Sequence, residues 1–212
     1  MRKLFIILTF IILALSCKKQ QNQQTISADT DSIISQIKLE RIQKDTSFKN
    51  DDDSPIPDND KPRFSGLCYF PIDLKYRFRL PLHQHKDGGI VKIITSRGRQ
   101  RDAEKYGHFE FEMDAKNYRL QVYKMLDIQA RHPGHLFVPF TDATSNIECY
   151  GGGRYLDLQE NDSGYYVLDF NLAYNPLCAY GKESYNCPIP PAENRLDVAI
   201  RAGEKNYPLK SH

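Results

Sequence analysis

The sequence predicts a mainly β protein, an antiparallel β-sandwich or barrel-like domain with one N-terminal helix. Three observations carry that prediction. From Phe64 onward apolar residues recur at every second position, as Leu74, Tyr76, Phe78, Leu80 and Leu82 do against Lys75, Arg77 and Arg79; this is the period of a strand with one wet face. Short apolar runs are separated by turn-formers such as Asp87-Gly88-Gly89 and Asp114 to Asn117. Helical spacing occurs once, between Asp29 and Phe48, where Ile33, Ile34, Ile37 and Ile42 make a partial apolar stripe.

The chain opens with the parts of an export signal. Arg2 and Lys3 precede a continuous apolar run from Leu4 to Leu15, and Ser16-Cys17 closes it. The run is shorter than the ~20 residues a transmembrane helix needs. Leu13-Ala14-Leu15-Ser16-Cys17 resembles a bacterial lipobox, with Ala14 where the commonest form has leucine. The resemblance implies acylation of Cys17, palmitate included, and more than one acyl chain there would anchor the protein stably. The expected organisation is therefore a lipoprotein signal peptide over 1–17, a disordered polar tether over 18–28, one domain over 29–206 and a tail over 207–212. The expected location is the bacterial cell envelope, with the domain facing the periplasm or the exterior and the membrane as partner through Cys17.

Within the domain each element has its own signal. Asp29 and Asp31 suit the positive end of the helix dipole, and Asp51-Asp52-Asp53 oppose its negative end, so the helix stops before them. Ser54 to Pro62, with its prolines, is a loop. Strands are expected over Leu74–Leu82, with Pro81 marking an edge or bulge, over Ile90–Thr95 and through Phe109, Phe111 and Met113. Others begin at Tyr118 or cover Leu136–Phe140, Arg154–Leu158, Tyr165–Phe170 and Val198–Ile200. No internal repeat is present. Lys and Arg total 29 against 27 Asp and Glu, a balance that excludes nucleic acid as partner, because phosphate binding needs a concentrated basic face. The basic run Arg97 to Arg101 lies beside Asp102 and Glu104 and reads as a solvated loop.

Leu136 to Tyr180 packs glycines, short polar residues and one isolated Arg154 between strand-like runs, an irregular backbone that side chains must pin. The motifs there are Pro139-Phe140-Thr141-Asp142-Ala143-Thr144-Ser145, Tyr150-Gly151-Gly152-Gly153-Arg154-Tyr155-Leu156, Leu168-Asp169-Phe170-Asn171 and Ala173-Tyr174-Asn175-Pro176. With Cys187-Pro188, Glu193-Asn194-Arg195-Leu196 and Ala202-Gly203-Glu204 they make the stretch from Arg41 to Glu204 resemble the bacterial family catalogued as domain of unknown function 1684. Leu177 stands where that pattern has a second proline. The resemblance implies no activity.

Candidate ligand residues are Asp142, Thr144, Glu148, Tyr150, Arg154, Asp169, Asn171 and Asn175. Asp142, Thr144 and Ser145 are either turn residues or one wall of a pocket. Arg154 is either a structural cation stacked between Tyr150 and Tyr155 or a clamp for an anion. Asp169 and Asn171, two apart on a strand, are expected on one face and, with Arg154, around one pocket. Two functions follow: a module binding a small polar or anionic ligand, or an envelope hydrolase with Asp169 or Glu148 as general base. A purely structural envelope protein is the third. No histidine is placed to activate Thr144 or Ser145, and no phosphate-loop Lys-Ser or Lys-Thr follows the glycines. No cofactor is expected. His83 and His85 share a strand face, the geometry of two metal ligands, but their loop context reads as surface, so no metal is expected. Once Cys17 is acylated, Cys178 and Cys187 are expected to form a disulfide, with Cys68 and Cys149 a second pair or buried thiols.

Overall fold

The computed structural model describes residues 29–208; Cys17, the tether and residues 209–212 lie outside the described residues. Two compact units are distinguished, residues up to Gln43 and residues from Lys44 on. Helix α1 (29–50) supplies the described part of the first unit and the opening turns of the second. It ends directly before Asp51, whose carboxylate accepts the Ser47 hydroxyl.

The second unit is built on strands β1 (Arg77–Pro81), β2 (His83–Gln84), β3 (Ile90–Ile94), β4 (Gln100–Met113), β5 (Lys116–Met125), β6 (His135–Phe140), β7 (Arg154–Gln159) and β8 (Tyr165–Asp169). A six-stranded sheet runs β2-β4-β5-β6-β7, with β3 also paired to β4, and β1 pairs with β8 in a separate two-stranded sheet. Every pairing is antiparallel and neither sheet closes into a barrel. Pro81 ends β1, whose partner is β8 alone, so its missing N–H costs no ladder bond.

Two expected strand segments are replaced by other structure. Leu74–Tyr76 is a 3₁₀ turn, because the Asp73 carboxylate accepts the Lys75 N–H and holds the chain out of the ladder. Val198–Ile200 forms no strand: the Ile200 N–H goes to the Asp142 side chain at 2.7 Å rather than to a neighbouring strand.

One irregularity gives the large sheet its two different faces. The β4–β5 register shifts between Lys105 and Gly107. Such a bulge exchanges which alternate residues face each side. Before it, Ala103 packs with Ile93, Tyr123, Phe137 and Tyr155. After it, Phe109 and Phe111 lie on the opposite face with Leu120, Val122, Val138 and Leu156. Gly107 is required there, since a Cβ would lie 2.8 Å from the His83 carbonyl oxygen.

The main core is covered by β1 and β8. Phe170 sits at its centre, with ring centroids of Phe140, Phe111 and Phe78 at 5.2, 5.7 and 6.2 Å. Edge-to-face pairs of this kind contribute about 0.5–1.5 kcal/mol each beyond burial. A smaller cluster joins Phe48, Ile56, Phe64, Tyr180 and Tyr207. Tyr207, assigned to the tail by the sequence, is 8% exposed and packs 5.5 Å from Tyr180, so the folded unit extends past residue 206.

Candidate functional site

Arg154 is delivered into the interior by the glycine before it. Gly153 has φ +84°, and a Cβ there would approach the Phe140 carbonyl oxygen to 2.6 Å. Arg154 itself is 0% exposed. Its Nη2 donates to Ile200 O at 2.8 Å and to Asp142 Oδ1 at 3.3 Å. Its Nη1 donates to Ala202 O and, at 3.3 Å, to Glu204 O. The cation lies over the Phe140 ring at 5.2 Å, not between Tyr150 and Tyr155 as expected.

Asp142 completes the arrangement from the other side. Its carboxylate accepts the Thr144 hydroxyl at 2.9 Å, the Ser145 hydroxyl at 3.2 Å and the Ile200 N–H. Asp142, Thr144 and Arg154 are thus brought together, but as a sealed knot that holds residues 200–204. Glu204 extends it: its carboxylate accepts Asn175 N–H at 2.9 Å, Lys44 Nζ at 2.6 Å and the Tyr180 hydroxyl. Asn175 also donates to Lys205 O at 2.8 Å. Burial, with Glu204 beside it, pushes the Tyr180 phenol well above its ordinary range, so it stays a donor.

Asp169 and Asn171 lie elsewhere. Asp169 ends β8 and caps the 3₁₀ turn Phe170–Leu172, accepting the Asn171 N–H at 2.9 Å. Asn171 is therefore not on a strand, and the two side chains meet because of the cap, not through strand alternation. Asn171 closes on Asp73, accepting its N–H and donating to its carbonyl, both at 2.9 Å. The Asp169 carboxylate pairs with Arg77 Nη1 at 2.6 Å, so the cation it meets is Arg77 and not Arg154. The expected pairing of Arg154 with the Asp169–Asn171 face is replaced by two separate ones, Arg154 with Asp142 and Asp169 with Arg77. Glu148 pairs with Arg201 at 2.9 Å near the surface. Tyr150 borders a separate cavity of about 400 Å³ with Asn146, Gly151, Gly152 and Tyr207. The glycines there allow close approach, a Cβ on Gly151 falling 2.8 Å from Asn146 Oδ1.

The remaining candidates divide clearly. Cys178 and Cys187 form the expected disulfide, with Cα atoms 6.2 Å apart. Cys68 and Cys149 are free, the first exposed and the second buried, and burial raises the Cys149 thiol. His83 and His85 flank His108 with ring centroids 5.1 and 5.2 Å away. Among the described residues no group of three or more metal-ligating side chains could hold an ion.

The feature that the sequence reading missed is on the other face of β7. Tyr155 and Asp157 alternate with Arg154 and Leu156, and with Phe137 of β6 they border a cleft of about 580 Å³. The segment from Tyr174 to Pro188 walls it, held by backbone bonds between Tyr155 and Tyr174 at 2.9 and 3.1 Å and by the Tyr155 hydroxyl donating to Pro188 O. The disulfide contributes Cys187 to this wall. Phe137, Tyr155 and Tyr174 stand edge to face, with interplanar angles of 73° and 88°. His135 Nε2 lies 3.0 Å from an Asp157 carboxylate oxygen, and Asp157 accepts the Tyr174 hydroxyl. Burial first, and Asp157 next, hold the Tyr174 phenol well above its ordinary value. At the rim, Arg101 Nε and Nη2 donate to the two Asp127 oxygens at 2.8 and 2.7 Å. None of the eight residues named from the sequence borders this cleft. The signal for it was the β7 alternation itself, which puts Tyr155 and Asp157 on the face opposite Arg154.

Comparison with known proteins adds fold and family. A family model described as "Protein of unknown function (DUF1684)" matches residues 62–205. The chain is similar to an uncharacterized protein of Haloarcula marismortui solved by solution NMR, at 35% identity and TM-score 0.64, over 84% of this chain and 96% of that one. No curated protein matches.

Proposed function

For a chain that belongs to the family of proteins of unknown function DUF1684, we propose a binding role: the β domain holds a small organic molecule in the Phe137–Tyr155–Tyr174 cleft. The observation that carries this reading is the cleft. Its 580 Å³ lies in the range of small-molecule sites, and it joins aromatic walls to a few convergent polar groups. Arg154, the residue first credited with an anion, has its guanidinium engaged by Asp142 and three backbone carbonyls. The hydrolase reading has less support, since Asp169 and Glu148 each answer an arginine.

The test is ligand-observed NMR with a set of aromatic fragments on the folded domain, with Leu177→Trp as the blocking variant. Leu177 is 39% exposed at the cleft mouth, so a larger side chain there narrows the opening without entering a core. Fragments should bind the native domain and lose binding in Leu177→Trp, with melting unchanged. Absence of binding, or binding that ignores the plug, removes the proposal.

The proposal places this domain on a lipid anchor at Cys17, supported by the lipobox-like Leu13 to Cys17 and the polar stretch after it. Cys17→Ser should abolish metabolic labelling with palmitate and leave the precursor unprocessed. Labelling that persists in the variant argues decisively against the anchor.

A further inference from the structure

We infer that the cleft selects a ligand with an aromatic body and a protonated amine, the amine being received by Asp157. This rests on the reading of the cleft as a binding site and specifies its chemistry. The argument begins with which charges at the cleft are already matched. Arg101 is answered by both oxygens of Asp127 in a two-bond pairing. Among the described residues no lysine or arginine pairs with Asp157: His135 Nε2 lies 3.0 Å from it, and the Tyr174 hydroxyl donates to it. Tyr174 is a neutral donor. The other ring nitrogen of His135, Nδ1, is shielded from solvent and has no hydrogen-bond partner. These two contacts with Asp157 fill only part of the roughly four acceptor positions of the carboxylate. Its side chain is 41% exposed, so the remaining positions are open to a ligand.

The surroundings suit a cation better than any other partner. Asp157 is bonded to Tyr174, which stands edge to face with Tyr155, as Tyr155 does with Phe137, and ring faces attract ammonium groups. The protein already uses Tyr174 in this way: Lys44 Nζ lies 4.6 Å from its ring centroid. That lysine is matched by Glu204 at 2.6 Å, so it supplies no unmatched positive charge behind the ring. An anionic ligand would meet the Asp157 carboxylate, and Arg101, the arginine among the described lining residues, would have to leave Asp127 to help.

Three probes of one shape separate the outcomes: phenethylamine, phenethyl alcohol and hydrocinnamate, titrated into isotope-labelled protein at neutral pH and low salt. Amide shifts in β6, β7 and the 174–188 wall report the site. Phenethylamine should bind about threefold more tightly than the alcohol, the ratio expected for a charge contact open to solvent, and hydrocinnamate more weakly than either. Asp157→Asn keeps the shape, removes the charge and should bring amine and alcohol to the same affinity. Equal binding of amine and alcohol to the native protein overturns the amine assignment while leaving the cleft a binding site. Preference for hydrocinnamate does the same. If none of the three shifts cleft resonances, both the assignment and the binding reading fall.

Discussion

Arg154–Asp142 and Arg101–Asp127 are the same chemical pair in opposite surroundings. The first has both side chains at 0% exposure; the second has them at 25% and 52%. The buried arginine donates to one carboxylate and to three backbone carbonyls at residues 200, 202 and 204, so it closes a distant chain segment onto β7. The exposed arginine donates to one carboxylate at the rim of the cleft and ties β4 to the turn after β5. Removing charges from water is costly unless their lone pairs and protons are answered, and the first pair meets that condition largely through the backbone, with Arg154 Nε left without a partner. The second has little desolvation to offset and little to contribute. The comparison teaches that an isolated arginine in a glycine-rich motif is not thereby a ligand clamp. Burial decides, and β7 turns Arg154 to one side and the cleft residues Tyr155 and Asp157 to the other.

The largest effect expected is from Arg154→Met. It leaves the Asp142 carboxylate buried without its cation and three carbonyls short of a donor, a change of about 3–5 kcal/mol for breaking a buried pair. A domain of this size has about 5–15 kcal/mol in total, so the variant should melt far below the native protein or fail to fold. Urea unfolding followed by circular dichroism measures it. A variant as stable as the native protein would show that the knot does not hold residues 200–204, and would reopen Arg154 as a ligand group.

How much of this was legible in the sequence follows from where each partner lies. Most strands from β3 to β8 announce themselves by apolar spacing, and α1 by its isoleucines and the aspartates that stop it. The first half of β4, from Gln100, does not, since it lies partly in the basic run read as a solvated loop. Nor does the bulge at Lys105–Gly107, because a shift of register leaves the apolar spacing on either side intact. The polar knot was half legible. Asp142, Thr144 and Arg154 stood out as unusual, and they do meet. Their role did not stand out, since the groups that answer Arg154 are mostly main-chain carbonyls 46 to 50 residues away, and a carbonyl has no residue type to read. Asp169 and Asn171 were placed on a strand because nothing in Leu168-Asp169-Phe170-Asn171 forbids one; only the cap from Asp169 to Asn171 turns the chain. The cleft was hidden for a different reason. Tyr155, Tyr174 and Phe137 read as ordinary core residues until the wall from Tyr174 to Pro188 leaves a space between them.

The smallest effect expected is at the exposed pair, and it sharpens the comparison through its pH dependence. The Arg101 hydrogen bonds, outweighing partial burial, hold the Asp127 carboxyl below its ordinary value of 3.8. A carboxyl that releases its proton more readily in the folded state than in the unfolded one stabilises the fold above its unfolded pKa. That contribution is lost as pH falls through the folded value, because the unfolded chain then takes up the proton first. Asp127→Asn should therefore be less stable than the native protein at neutral pH, and the gap should close as pH falls below about 4. With more than half the carboxyl in solvent, screening limits the gap to about 0.2–1 kcal/mol, and added salt should narrow it further. Paired urea titrations at neutral and acid pH, at low and high salt, resolve it. A gap of several kcal/mol, or one that does not change with pH, would mean that Arg101–Asp127 resembles Arg154–Asp142 after all. The amine assignment depends on that distinction only in part: it needs Arg101 matched by Asp127, and Asp127→Asn unmatches it. In that variant the freed guanidinium should also weaken phenethylamine relative to hydrocinnamate, a shift in the opposite sense from the native preference.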